Sequence, residues 1–210
     1  MLTAPAALLL LRGALDDVRS WARGGLLPTW LVPDPAWTLV VPAGPPLAAA
    51  PYDDPVALLG GRPTPSRLRP SLCLVADGPR AVAVVQERGR RSPLRWLVWS
   101  QDVGPTRTPD LPSAPIALVA ELAGSAGSRG VTALREALTA DSRTGSDVVD
   151  DVLRALSLPG AGLPIGAVRA QDLPGAERVD PDAGTVARFE SFARSEAQLA
   201  APTTPKGDDR

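Results

Sequence analysis

The chain has 210 residues, 44% of them hydrophobic and 21% charged, close to the averages for globular domains and long enough for one sizeable core. Its formal net charge of −1 argues against a protein that coats nucleic acid through bulk charge. There is no histidine and only one cysteine, Cys73, which excludes Ser-His-Asp and Cys-His catalysis, His-based zinc sites and an internal disulfide.

Aromatics make up only 4%, so Leu, Val and Ala must fill most of the core. Of the 22 basic residues all but Lys206 are arginine, and asparagine is absent. Codon usage in a high-GC bacterial genome accounts for that bias, so the placement of the arginines is informative and their number is not. At the N-terminus no basic residue precedes the apolar stretch Leu8 to Leu11, and Arg12 follows at once. That pattern is unlike a signal peptide, no run approaches the roughly eighteen apolar residues of a membrane span, and a cytoplasmic location is expected.

In chain order, residues 5–23 read as an amphipathic helix, with Leu8, Leu11, Leu15, Val18 and Ala22 on one face and Gly24-Gly25 as its end. Residues 36–42 form a strand candidate. From residue 42 to residue 70 the chain carries eight prolines around Gly60-Gly61, which predicts a long surface loop with a helical turn at 55–59. Residues 71–76, the turn pair Asp77-Gly78 and residues 80–86 give a hairpin signal, and a second turn at 88–93 leads into 94–100. These segments predict a three-stranded antiparallel meander with Cys73 as a small buried hydrophobe.

The second half reads as mainly helical. A helix over 114–123 is preferred to a strand over 116–120, and Val131, Leu134 and Leu138 mark another over 130–139. Thr144 and Asp147 are spaced as a capping box before a helix with Val148, Val149, Val152 and Leu156 on its apolar side. Residues 165–170 suggest one more strand, and Asp182 caps a last helix bearing Val186, Phe189 and Phe192. The expected fold is a single α+β domain over residues 1–201. An antiparallel meander of three to five strands packs one face against N-terminal and C-terminal helices, with the Pro-rich loop at 42–70 and the arginine turn at the periphery. Residues 202–210 read as a disordered tail.

The strongest asymmetry is electrostatic. Nine arginines face three acids between Arg62 and Arg107, a local +6 that leaves −7 for the rest. Arg88, Arg90, Arg91 and Arg95 cluster around one hairpin turn as candidate nucleic-acid or anion ligands, although alternation sends Trp96 and Trp99 to opposite faces and denies them a shared stacking platform. The glycine-rich stretch 124–130 precedes a helix but lacks a Walker-type lysine and reads as a helix–helix connection. Asp147, Asp150 and Asp151 could approach a divalent cation, but a capping role explains them better. Trp21, Trp30 and Trp37 are expected to bury against one another. Trp30, if exposed, would instead mark a partner surface. Asp53 and Asp54 beside Tyr52 in the Pro-rich loop read as a turn by default, and as a partner-binding site only if the fold brings Arg or acid partners to them.

No metal and no cofactor is implied. The leading expectation is a non-catalytic protein-interaction component of a bacterial system, an adaptor, immunity-type or assembly protein whose partner is another protein or a second copy of itself. A nucleic-acid binder working through residues 88–95 is the alternative, and a histidine-free enzyme acting on a phosphorylated small molecule is a third reading.

Overall fold

A computed structural model of the chain describes residues 6–89, 91–139 and 143–200. The architecture is α+β, but the sheet exceeds the three to five strands expected: among the described residues, eight strands form one antiparallel sheet. They are β1 (Ala6–Leu11), β2 (Thr29–Pro33), β3 (Thr38–Pro42), β4 (Ser71–Asp77), β5 (Arg80–Gln86), β6 (Leu94–Ser100), β7 (Gly104–Thr106) and β8 (Glu177–Val179), in the spatial order β7-β6-β5-β4-β1-β3-β2-β8. The meander is β4 to β7. Asp77 pairs with Arg80, so Gly78-Pro79 forms the two-residue turn, with Gly78 at φ 53°. Strand β1 sits between β4 and β3 and joins the meander to the β2–β3 hairpin.

The helices are α1 (Leu15–Arg23), α2 (Pro55–Gly60), α3 (Ile116–Leu122), α4 (Ser128–Ala137), α5 (Gly145–Ala155) and α6 (Ala183–Ala200). They cover both faces of the sheet, not one. Leu8 and Leu10 of β1, Leu72 and Leu74 of β4 and Trp99 of β6 pack under α3, α4 and α5, where Val119, Leu134 and Leu153 are buried. Leu9 and Leu11 of β1, Cys73 and Val75 of β4 and Leu31 of β2 point the other way, against Val18 and Trp21 of α1 and Leu59 of α2.

Two-sided burial explains the largest departure from the sequence reading. The expected helix over 5–23 is a strand followed by a shorter helix, because Ala6–Leu11 is a central strand with a core on each side. Such strands read as continuous apolar runs, and a run of that kind joins onto a following helix without a visible break in periodicity. The break is at Gly13, whose φ of 118° suits glycine and whose missing Cβ would lie 2.7 Å from the Arg67 carbonyl oxygen.

The Pro-rich segment 42–70 is peripheral only in its first half. Asp54 caps α2 by accepting a hydrogen bond from the Val56 amide at 2.9 Å, and Leu59, Thr64 and Leu68 are buried against the sheet. Gln86 holds the segment down, accepting from the Thr64 amide (3.2 Å) and donating to the Ser92 carbonyl (2.9 Å). Residues 114–123 contain a helix and no strand. Residues 165–170 form turns and the start of a short 3-10 helix (Ala170–Asp172), and the strand in this region is β8 instead. The capping box at Thr144–Asp147 is present, with the Thr144 hydroxyl close to the Asp147 amide and Asp147 accepting from the Thr144 amide at 2.9 Å. Asp182 caps α6 through the Thr185 amide at 2.9 Å. Residues 202–210 lie outside the described residues. Among those described, no helix is long and apolar enough to cross a membrane.

Candidate functional site

The arginine turn joins β5 to β6. Arg88 and Arg91 are exposed at its tip, and Arg90 lies outside the described residues. Arg95 shares its side of the sheet with its cross-strand partner Val85. Its Nε lies 3.7 Å from Glu87 Oε2, and its Nη1 reaches toward the Ser113 carbonyl at 3.5 Å. Among the described residues no acid from the C-terminal half pairs with Arg88, Arg91 or Arg95. Trp96 and Trp99 do face opposite ways. Trp99 is buried under α4 with its indole N–H donating to the Leu138 carbonyl at 3.0 Å, whereas Trp96 is half-exposed on the other face.

The three aspartates of α5 are separately employed. Asp147 serves the capping box, and the Thr144 hydroxyl and amide hold its carboxyl below the usual range. Buried Asp150 accepts from the Gly162 amide and from Arg154 Nε (2.8 Å), tying the loop after α5 to the helix, and Asp151 pairs with Arg143. Among the described residues no group of three acids or cysteines is arranged to hold a metal ion. The glycine-rich stretch connects α3 to α4, and its Ser125 hydroxyl donates to the Leu156 carbonyl at 3.2 Å. Cys73 is buried beneath α2, and burial raises its thiol to about 12.

The expected tryptophan cluster does not form. Trp21 belongs to the α1–α2 core and Trp37 to the α3–α5 core, on opposite sides of the sheet, and Trp30 is a half-exposed residue of β2 rather than of a loop. Each buried ring instead carries an arginine: the Arg12 guanidinium lies 4.5 Å from the Trp37 ring centroid and that of Arg62 lies 4.2 Å from Trp21. Compared with known protein families, curated proteins and solved structures, the chain has no match.

The candidate site lies where α6 meets α1 and α2. The Asp182 amide donates to the Arg23 carbonyl at 2.8 Å, which fixes the start of α6 against the end of α1. About two turns further on, Phe189 meets Tyr52 edge-on at 5.3 Å between centroids, and Phe192 lies 6.1 Å from Phe189. The only tyrosine and both phenylalanines of the chain thus stand together, and they stand at the surface, with Tyr52 37% and Phe192 53% exposed. Leu47, 44% exposed, lies beside the same region, its amide donating to the Leu26 carbonyl at 2.8 Å.

Beneath this aromatic row a groove of about 270 Å³ runs between Gly24-Gly25-Leu26, Ala57-Leu58 and the Thr185 and Phe189 side of α6, with Arg62 in its wall. Arg62 donates from Nη2 to the Trp21 carbonyl at 2.8 Å, and among the described residues it has no carboxylate partner. Desolvation lowers its guanidinium to about 10. Gly25 makes room for it: a Cβ there would stand 2.6 Å from Nη1. Of the sequence candidates, Tyr52 belongs to this site. Asp54 is occupied as a cap, Asp53 is an exposed neighbour, and Trp30 and the arginine turn belong to other parts of the sheet. Sequence reading missed Arg62 and the surface role of Phe189 and Phe192. The one available signal was that only two phenylalanines exist and both fall on a single helix.

Proposed function

We propose that the chain is a non-catalytic protein-interaction component, of the adaptor, immunity-type or assembly kind, whose partner docks on the Tyr52–Phe189–Phe192 row. The observation that carries this reading is the surface placement of those three rings in a chain with 4% aromatics. Large rings contribute most to packing when they are buried, and the tryptophans Trp21, Trp37 and Trp99 are buried. Rings left at a surface lose that contribution in the free protein and recover it on association. Aromatic anchors are correspondingly enriched at the centres of protein interfaces.

A comparative pull-down tests the reading. The wild-type chain should retain a partner, or a second copy of itself, in near-stoichiometric amount. Phe192→Ser should lose it, and Val103→Ser, at a residue 69% exposed in the β6–β7 turn, should keep it. Equal retention by all three proteins, or no stable partner for any, would overturn the proposal. A second reading draws on the exposed Arg88 and Arg91, which fit contact with nucleic-acid phosphates. Filter binding with steep salt dependence, lost in an Arg88→Ser/Arg91→Ser variant, would favour it over the first.

A further inference from the structure

The groove under the aromatic row adds a chemical requirement to the partner, and the inference that follows rests on the protein-interaction reading. We infer that this groove binds the free α-carboxylate of a partner polypeptide whose last side chain is apolar, with Arg62 as the carboxylate ligand and the aromatic row contacting the residues before it.

Arg62 places a positive charge in the wall of the groove. A guanidinium presents five N–H donors in a rigid fork and has its lowest free energy when a carboxylate fills that fork. Here the Trp21 carbonyl, at the negative end of α1, takes one donor, and the Trp21 ring covers one face. Among the described residues Arg62 has no other acceptor, and it lines the groove. Among other part-buried arginines, Arg19 grips Glu177 with two bonds of 2.8 and 2.7 Å and Arg143 meets Asp151, whereas Arg12 lies over Trp37 and Arg69 donates to the Thr64 carbonyl without an acid. Arg62 combines loss of solvent, a fixed position and an adjoining groove.

The rest of the groove defines what accompanies the anion. Leu26, Ala57, Leu58 and Phe189 supply apolar walls, so a phosphate or a hydrated inorganic anion would gain little from them, whereas a carboxylate joined directly to an apolar group would. At about 270 Å³ the space falls just below the ~300 Å³ lower end of small-ligand pockets, which suits one terminal residue better than a continuing chain. Phe189 lines the groove while its ring neighbours Tyr52 and Phe192 lie outside that lining, so a ligand longer than a free small acid is needed to use them.

The test uses fluorescence anisotropy on the full chain. The probe is a fluorescein-labelled pentapeptide pool, randomised except for a C-terminal Leu, Phe or Val, prepared as the free acid and as the C-terminal amide. The acid pool should bind and the amide pool should bind at least about tenfold more weakly, the loss expected when a charge-assisted bond disappears. Arg62→Gln should reduce acid binding by a similar factor, and Arg62→Lys should recover part of it. Phe192→Ser should weaken both pools alike. Equal binding of acid and amide, or no binding of either, overturns the inference, and competition by 4-methylpentanoate at peptide-like concentration overturns the peptide source. Because acid and amide are compared on the wild-type protein, the answer does not depend on any variant folding. Equality of the two pools alongside a partner lost in Phe192→Ser would reject the carboxylate and leave the interaction reading standing.

Discussion

The two faces of the sheet share the same strands and are closed by different means. On one, α3, α4 and α5 lie over β1, β4, β5 and the end of β6, and the buried residues form one continuous cluster from Leu10 to Leu156. On the other, the cover consists of the nine-residue α1, the six-residue α2 and a Pro-rich strap. These pieces reach β2, β3, β1 and β4 and, at Val84 and Gln86, part of β5, leaving Val82, Leu94, Trp96 and Val98 half-exposed and the α6 groove beside Arg62. A layer of three adjoining helices can interdigitate side chains across its width and exclude solvent. Short pieces joined by prolines are held by single anchors such as Leu68, Gln86 and Asp54, and gaps remain between them. The proposed docking surface lies on the face with the fragmentary cover.

Mutations can break or sharpen this contrast. Trp99→Ala removes a 1%-exposed ring from the three-helix face and orphans the Leu138 carbonyl, and should cost about 3–5 kcal/mol in urea denaturation. Leu68→Ala empties an equally buried site on the other face and should cost about 2–3 kcal/mol, because the short strap can settle into the space. It should also expose Cys73, which shares that cluster and whose thiol, buried and raised to about 12, should resist iodoacetamide at about pH 8 in the wild type. A Leu68→Ala cost matching that of Trp99→Ala, with Cys73 still protected, would erase the contrast.

Smaller effects test the anchors of each face. Thr144→Ala removes the capping box of α5 and should cost about 1 kcal/mol by thermal denaturation. Asp147 has a folded carboxyl below its ordinary range, so its contribution is present above the unfolded value and is lost as pH falls through the folded one. The difference between wild type and Thr144→Ala should accordingly shrink in acid. Glu177, held low by the Arg19 guanidinium, carries the same sign at the β8 edge, and Glu177→Gln should flatten that part of the acid profile. Phe192→Ser should change stability by less than about 0.5 kcal/mol while abolishing partner retention, the smallest thermodynamic effect and the one most telling for function.

Much of the local structure was legible in the chain. The β4–β5–β6 meander, the capping box at Thr144, the Asp182 cap and the helical turn after Asp54 each depend on residues a few positions apart, and each is present. So was the division of Trp96 from Trp99, which follows from strand alternation alone. The short edge strands β7 and β8, three residues each, carry too little pattern to be seen before their neighbours are known.

What the tertiary structure decided is which side each apolar residue faces and what it meets there. Ala6–Leu11 has the composition of a helix face or of a central strand, and only the presence of a core on both sides makes it the strand β1. Arg62 is one arginine among 21 in the sequence, and it becomes distinctive only when Trp21, Gly25 and α6 enclose it without a carboxylate. Local pattern carries information over the few residues that a turn or a cap spans. Burial and charge compensation depend on residues brought together from distant parts of the chain, and no window of sequence contains them.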